Sequence, residues 1–118
     1  MGRVESIFGY WPEFADGRIL ALSWQHADQL LLTIDYIDAE QRKRARISLL
    51  FSGISNLNLT GLMSENVLDS LEISGEGPVT VHLEACVGLC GSFNCARVEV
   101  IEVTQNSVCS QAASPHET

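Results

Sequence analysis

Cys86, Cys90 and Cys95 fall within ten residues, and His82 precedes the first of them by four. Three thiols and an imidazole are formally a zinc donor set, but structural zinc sites use tighter CxxC pairs or interleaved histidines. Spacings of three and four intervening residues do not match that pattern. Each cysteine also sits beside strand-like or glycine-turn sequence, where Cys serves as a small apolar residue in a reducing compartment. A Cys90–His82 pair could act as nucleophile and base only with a third, orienting group, which the sequence does not indicate. His26 and His116 complete the histidines. No GxSxG, HExxH, P-loop or GxGxxG spacing is present. The expectation is a protein that is not an enzyme and holds no catalytic residue, cofactor or metal; the alternative is a small β-rich ligand-binding or metal-binding domain with enzymatic activity.

Carboxylates are the abundant chemistry. Fifteen Asp and Glu face seven Lys and Arg in 118 residues, a net charge of −8. Such a surface repels phosphate backbones and anionic membranes, so neither nucleic acid nor membrane is expected as a partner. It suits a basic protein, because complementary potentials speed encounter. The charge is uneven. Arg42, Lys43, Arg44 and Arg46 form a basic island between an acidic first third and a stretch after Glu65 whose only base is Arg97. Glu72, Glu84 and Glu99 alternate with apolar residues in three separate strand-like runs. If those strands neighbour one another, the three glutamates make one acidic outward face, the candidate partner contact. The acids of Asp28–Glu40 and the Glu13/Asp16 pair are competing candidates.

These residues must be positioned by strands, because the dominant period is two. Leu30, Leu32, Ile34 and Tyr36 alternate with polar residues, as do Ala45, Ile47, Leu49 and Phe51. A turn at Asp38–Gln41 would place Ile34 opposite Ala45, Leu32 opposite Ile47 and Asp35 opposite Arg44, with Arg42, Arg44 and Arg46 on one exposed strand face. A second hairpin is expected around a Ser74–Pro78 loop, pairing Ile73 with Val79 and Leu71 with Val81. Further strands are expected at Arg18–Trp24, Ile54–Thr60 and Ala96–Val103, with at most a helical turn at Ser6–Tyr10 and another after Ser64. The architecture read from this is a mainly β, single antiparallel domain of about seven strands over residues 1–103, a sandwich or partly open barrel. Residues 104–118 lack periodicity and read as a flexible tail. Half of the eight aromatics lie in Phe8–Phe14, read as a plug closing one end of the core with Trp11 and Phe14 buried. No apolar run approaches the roughly 18 residues of a membrane span, and no secretory signal opens the chain, so a cytoplasmic protein is expected.

The opening Ile7-Phe8-Gly9-Tyr10-Trp11-Pro12-Glu13-Phe14-Ala15-Asp16, followed by an Ile-Leu-rich strand, resembles the bacterial immunity protein 50 family. Phe51-Ser52-Gly53-Ile54, Leu57-Asn58-Leu59 and Asn66-Val67-Leu68 are similar to its middle section, and Gly88–Val103 to its end. The resemblance covers about residues 6–103, and its distinctive part is the Trp-Pro-x-Phe stretch. Ala15 departs from the pattern, where a His often precedes the Asp, which fits a structural role for the segment. The resemblance implies an immunity protein that neutralises the toxin encoded beside it by tight binding. That partner would be a cognate toxin with a basic active-site surface, such as a nuclease. Neither the identity of the toxin nor the oligomeric state follows from the sequence.

Overall fold

Period-two alternation becomes eight strands in the computed structural model, which describes residues 9, 12–26, 28–75 and 78–107, with backbone alone for 106 and 107. They are β1 (Arg18–His26), β2 (Gln29–Asp38), β3 (Lys43–Ser52), β4 (Ser55–Thr60), β5 (Val67–Ser74), β6 (Val79–Val87), β7 (Cys90–Cys95) and β8 (Arg97–Ser107). All pairings are antiparallel, in one open sheet of order β4-β7-β6-β5-β1-β2-β3-β8. The described residues contain no helix, and so none long and apolar enough to cross a membrane. The turn expected after Ser64 is a bend leading into β5. Trp11 and the Ser6–Tyr10 turn lie outside the described residues, Gly9 apart.

The sheet is pinched in the middle. β1 and β5 share a single ladder pair, Arg18 with Val67, whereas every other neighbouring pair shares several. About this pinch the two halves fold over one another. The ring of Phe51 on β3 meets that of Phe93 on β7 edge-to-face at 5.1 Å, although four strands separate β3 from β7 in the order. The core between the halves is built from the expected alternating residues: Leu30, Leu32 and Ile34 of β2, Ala45, Ile47, Leu49 and Phe51 of β3, and Leu68, Leu71, Val81 and Leu83 of β5 and β6. The expected mainly β, antiparallel fold is therefore present as one open sheet folded over itself, with eight strands rather than about seven. The additional strand is β7, whose Gly91, Ser92 and Asn94 mask the alternation of its buried Phe93 and Cys95.

Both hairpins form, each two residues from the expected register. Ile34 faces Ile47, Leu32 faces Leu49 and Asp35 faces Arg46. In the second hairpin Ile73 faces Val81 and Leu71 faces Leu83. A slip of two leaves every side chain on its own face, so hydrophobic patterning cannot choose between the two registers. The turn chooses. Asp38 Oδ1 accepts the backbone N–H groups of Glu40 and Gln41, which sets the loop at Ala39–Arg42 and puts Arg42 in the left-handed region at φ 57°. Arg42 is thus a turn residue, and only Arg44 and Arg46 share the exposed face of β3. β8 also runs to Ser107, four residues past its expected end, because Thr104 and Gln105 find ladder partners in Arg46 and Ala45.

The expected Asp35–Arg44 contact survives the slip as a diagonal. Arg44 donates Nε and Nη2 to the two Asp35 oxygens at 3.0 and 2.7 Å. Those hydrogen bonds hold the Asp35 carboxyl below the usual carboxylate range, helped by the charges of Arg44, Arg46 and Arg18 and opposed by partial burial. A carboxyl with a lowered folded pKa contributes stability above its unfolded value of about 3.9, and that contribution is lost as the pH falls through the folded value. Asp35→Asn should therefore cost about 1 kcal/mol at neutral pH, a modest figure because Arg44 is partly solvated. In thermal melts across pH, the gap between variant and wild type should close below about pH 4. A gap that persists in acid would mean that the ion pair is not its source.

Candidate partner-binding surface

The two halves of the sheet divide the charge. Between Ile47 and Ala96 the chain has no Lys or Arg, so β4, β5, β6 and β7 carry none. All the strand cations, Arg18, Lys43, Arg44, Arg46 and Arg97, belong to β1, β3 and β8 in the other half.

On the cation-free half, Leu68, Leu71, Val81 and Leu83 point inward, and period two sends Glu72, His82 and Glu84 out to solvent. Glu72 stands directly across the ladder from His82, and Glu84 across from Ser70, so no two acids oppose each other. His82 Nε2 lies 3.0 Å from Glu84 Oε2. Asp69 is exposed at an irregularity of β5 between Leu68 and Ser70. Glu72, Glu84 and Asp69 thus share two adjacent strands.

Glu99 does not join them. It sits on β8, opposite Leu50 of β3, at the far edge of the sheet order. There the Arg97 guanidinium lies 3.9 Å from its carboxylate, in a region of mixed charge. The expected three-residue face required β8 beside the second hairpin; β7 fills that place.

Cys86, Cys90 and Cys95 do not assemble a donor set; Cys109 lies outside the described residues. Among the described residues no three Cys, His, Asp or Glu side chains converge as metal ligands. Cys95 is buried, Cys86 is exposed and Cys90 lies between these extremes. Burial pushes the Cys95 thiol up, and partial desolvation with the nearby Asp69 and Asp16 charges does the same to Cys86, so neither is activated as a thiolate. A shallow recess of about 380 Å³ is lined by His82, Glu84 and Cys90 with Leu83, Ala85 and Gly91. Its Cys90 Sγ lies 3.9 Å from Thr60 Oγ1.

Buried hydrogen bonds tie together the frame behind this surface. Asn66, buried where the chain enters β5, accepts the N–H groups of Met63 and Leu89 at Oδ1 and donates Nδ2 to the Met63 carbonyl. It ties the 61–66 segment to the β6–β7 turn. Gly88 in that turn has φ 89°, and a Cβ there would lie 2.2 Å from Asn66 Oδ1, so only glycine fits. Residues 2–106 match the family model described as immunity protein 50. The chain belongs to that family. No curated protein and no solved structure matches it. The match takes in the whole described sheet except Ser107, as the resemblance carried by the Trp-Pro-x-Phe stretch led one to expect. Membership of the immunity protein 50 family implies an immunity role, with a cognate toxin as its partner.

Proposed function

We propose that this immunity protein 50 member neutralises its toxin by direct binding in the cytoplasm, through the outward face of β5 and β6, with Glu72 and Glu84 at the contact and Asp69 beside them. The observation that carries this reading is the absence of any Lys or Arg from β4 to β7 in a chain of net charge −8. A face with acids and no strand cations draws a basic partner, and a nuclease, whose substrate-binding surface is basic, is the partner it suits best. Binding needs no catalytic residue on this chain, which acts by covering the toxin. Glu99, neighboured by Arg97 at the opposite edge, is not included in the contact.

The test is co-expression with the toxin of the neighbouring reading frame. Cells making the toxin should grow when this chain is supplied, and the two should co-purify as a complex. Rescue without a complex would contradict neutralisation by binding.

A further inference from the structure

Resting on the toxin contact proposed above, we infer that the recess between β6 and β7 is its anchor point. It takes one Lys or Arg side chain of the toxin, whose charged head meets the Glu84 carboxylate.

The recess follows from the residues of the two strands. β6 raises His82 and Glu84 from its outward face, while β7 sets Ser92 opposite His82 and Gly91 opposite Leu83. Period two puts Cys90 on the same side of β7 as Ser92, and Thr60 of β4 pairs with Cys90 from beyond. Two long polar side chains thus stand beside a strand of small ones. The step between them leaves the space of about 380 Å³. Ligand sites run from about 300 to 1,000 Å³, so a space at the small end suits a single side chain.

Charge selects the occupant. Glu84 meets His82 Nε2 through Oε2 at 3.0 Å, and its Oε1 has no partner among the described residues. Glu72 faces His82 from β5, and Asp69 lies on that same strand. No Lys or Arg stands on β4, β5, β6 or β7 to compete for these carboxylates or to repel an arriving cation. An anion meets the opposite field, and an apolar group would cover Glu84 without giving it a hydrogen bond. A Lys or Arg answers both parts of the recess. Its methylene stem can lie against the Cys90 thiol and the bare backbone of Gly91 while its head reaches the carboxylate. Hydrogen bonds between such a head and a carboxylate are about twice as strong as neutral ones.

Anchoring and steering separate in the kinetics. Long-range charge acts on association, whereas a charge pair covered in a pocket acts on dissociation. Glu72 does not line the recess and steers only; Glu84 lines it and does both.

Association and dissociation rates with the toxin of the neighbouring reading frame, measured on full-length variants, test the proposal. Glu72→Gln and Glu84→Gln each remove one charge and should slow association alike at low salt, by roughly twofold. Of these two, only Glu84→Gln should speed dissociation, by roughly tenfold or more. Cys90→Phe fills the recess without altering charge, and should speed dissociation similarly with little change in association. Its melting temperature checks that it is folded; should Phe unfold the chain, Cys90→Leu fills part of the same space and replaces it. Alanine replacement of the toxin's Lys and Arg residues, one at a time, should find one that costs about tenfold in affinity with wild type and little with Glu84→Gln, the coupling of a direct pair. If Glu72→Gln slows association but neither Glu84→Gln nor Cys90→Phe speeds dissociation, the acidic face stands and the anchor is overturned. If neither glutamate substitution changes either rate, the face itself fails and the anchor falls with it. Dissociation raised by Cys90→Phe but not by Glu84→Gln would mean that an uncharged group fills the recess, which also overturns the proposal.

Discussion

Phe14→Ala is expected to destabilise the fold by about 3–5 kcal/mol, the range for large aromatics removed from a core. Phe14 is 0% exposed, and its ring meets that of Tyr36 edge-to-face at 5.4 Å. It also anchors the segment that leads into the pinch of the sheet. Around it Leu71 N donates to Glu13 O, Asp16 N to Leu68 O, Leu68 N to Gly17 O and Ile19 N to Asn66 O, all at 2.7–2.9 Å. These bonds lay residues 13–19 along β5 before the chain crosses to β2. Gly17 closes the turn, donating to Phe14 O at 2.8 Å, and a Cβ on it would lie 2.8 Å from that oxygen and 3.0 Å from Ile34. Phe14 holds this geometry at φ 61°, where a side chain costs about 1 kcal/mol relative to glycine. Phe14→Gly should therefore be no worse than Phe14→Ala although it removes more atoms. Chemical denaturation of the two variants measures both quantities. A loss below about 1 kcal/mol for Phe14→Ala would mean that the core does not depend on this ring.

The faces of the strands were legible in the sequence, and the strand order was not. Period two assigns Leu30, Leu32, Ile34, Ala45, Ile47 and Leu49 to the interior without any knowledge of their partners, because alternation is a property of one strand. Register is a property of two. The deciding contacts, Asp38 with its own turn and Arg42 at positive φ, lie in the turn and leave no mark on the hydrophobic pattern, which fits both registers equally. β7 was hidden because its outward positions are filled by small polar residues and its first inward one by Gly91, which lets the backbone of Asn58 and Leu59 approach. Strand order depends on contacts distant in the chain, and there local patterning carries no information. The candidate site shows the same division. That Glu72 and Glu84 point to solvent could be read from alternation. That Glu99 lies at the other edge could not, because it depends on β8 choosing β3 rather than β6. The missing cations were visible throughout as a fifty-residue gap between Arg46 and Arg97, but the gap acquires meaning only when the fold gathers β4 to β7 into one half of the sheet.

Reversal of the acidic face carries the other large expected effect, and it bears on the central claim. Steering by a charged surface raises association rates by about 10–1000-fold and fades with salt. Glu72 and Glu84 are exposed, so replacing both with Lys should leave the melting temperature nearly unchanged. The measurement is stopped-flow association of the toxin with wild type and with the Glu72→Lys/Glu84→Lys variant, at low and at high salt. At low salt the variant should associate about tenfold or more slowly. At high salt the two rates should converge, the wild type falling steeply with ionic strength and the variant hardly at all. Equal rates at low salt, with the same salt dependence, would contradict the assignment of the toxin contact to the face of β5 and β6.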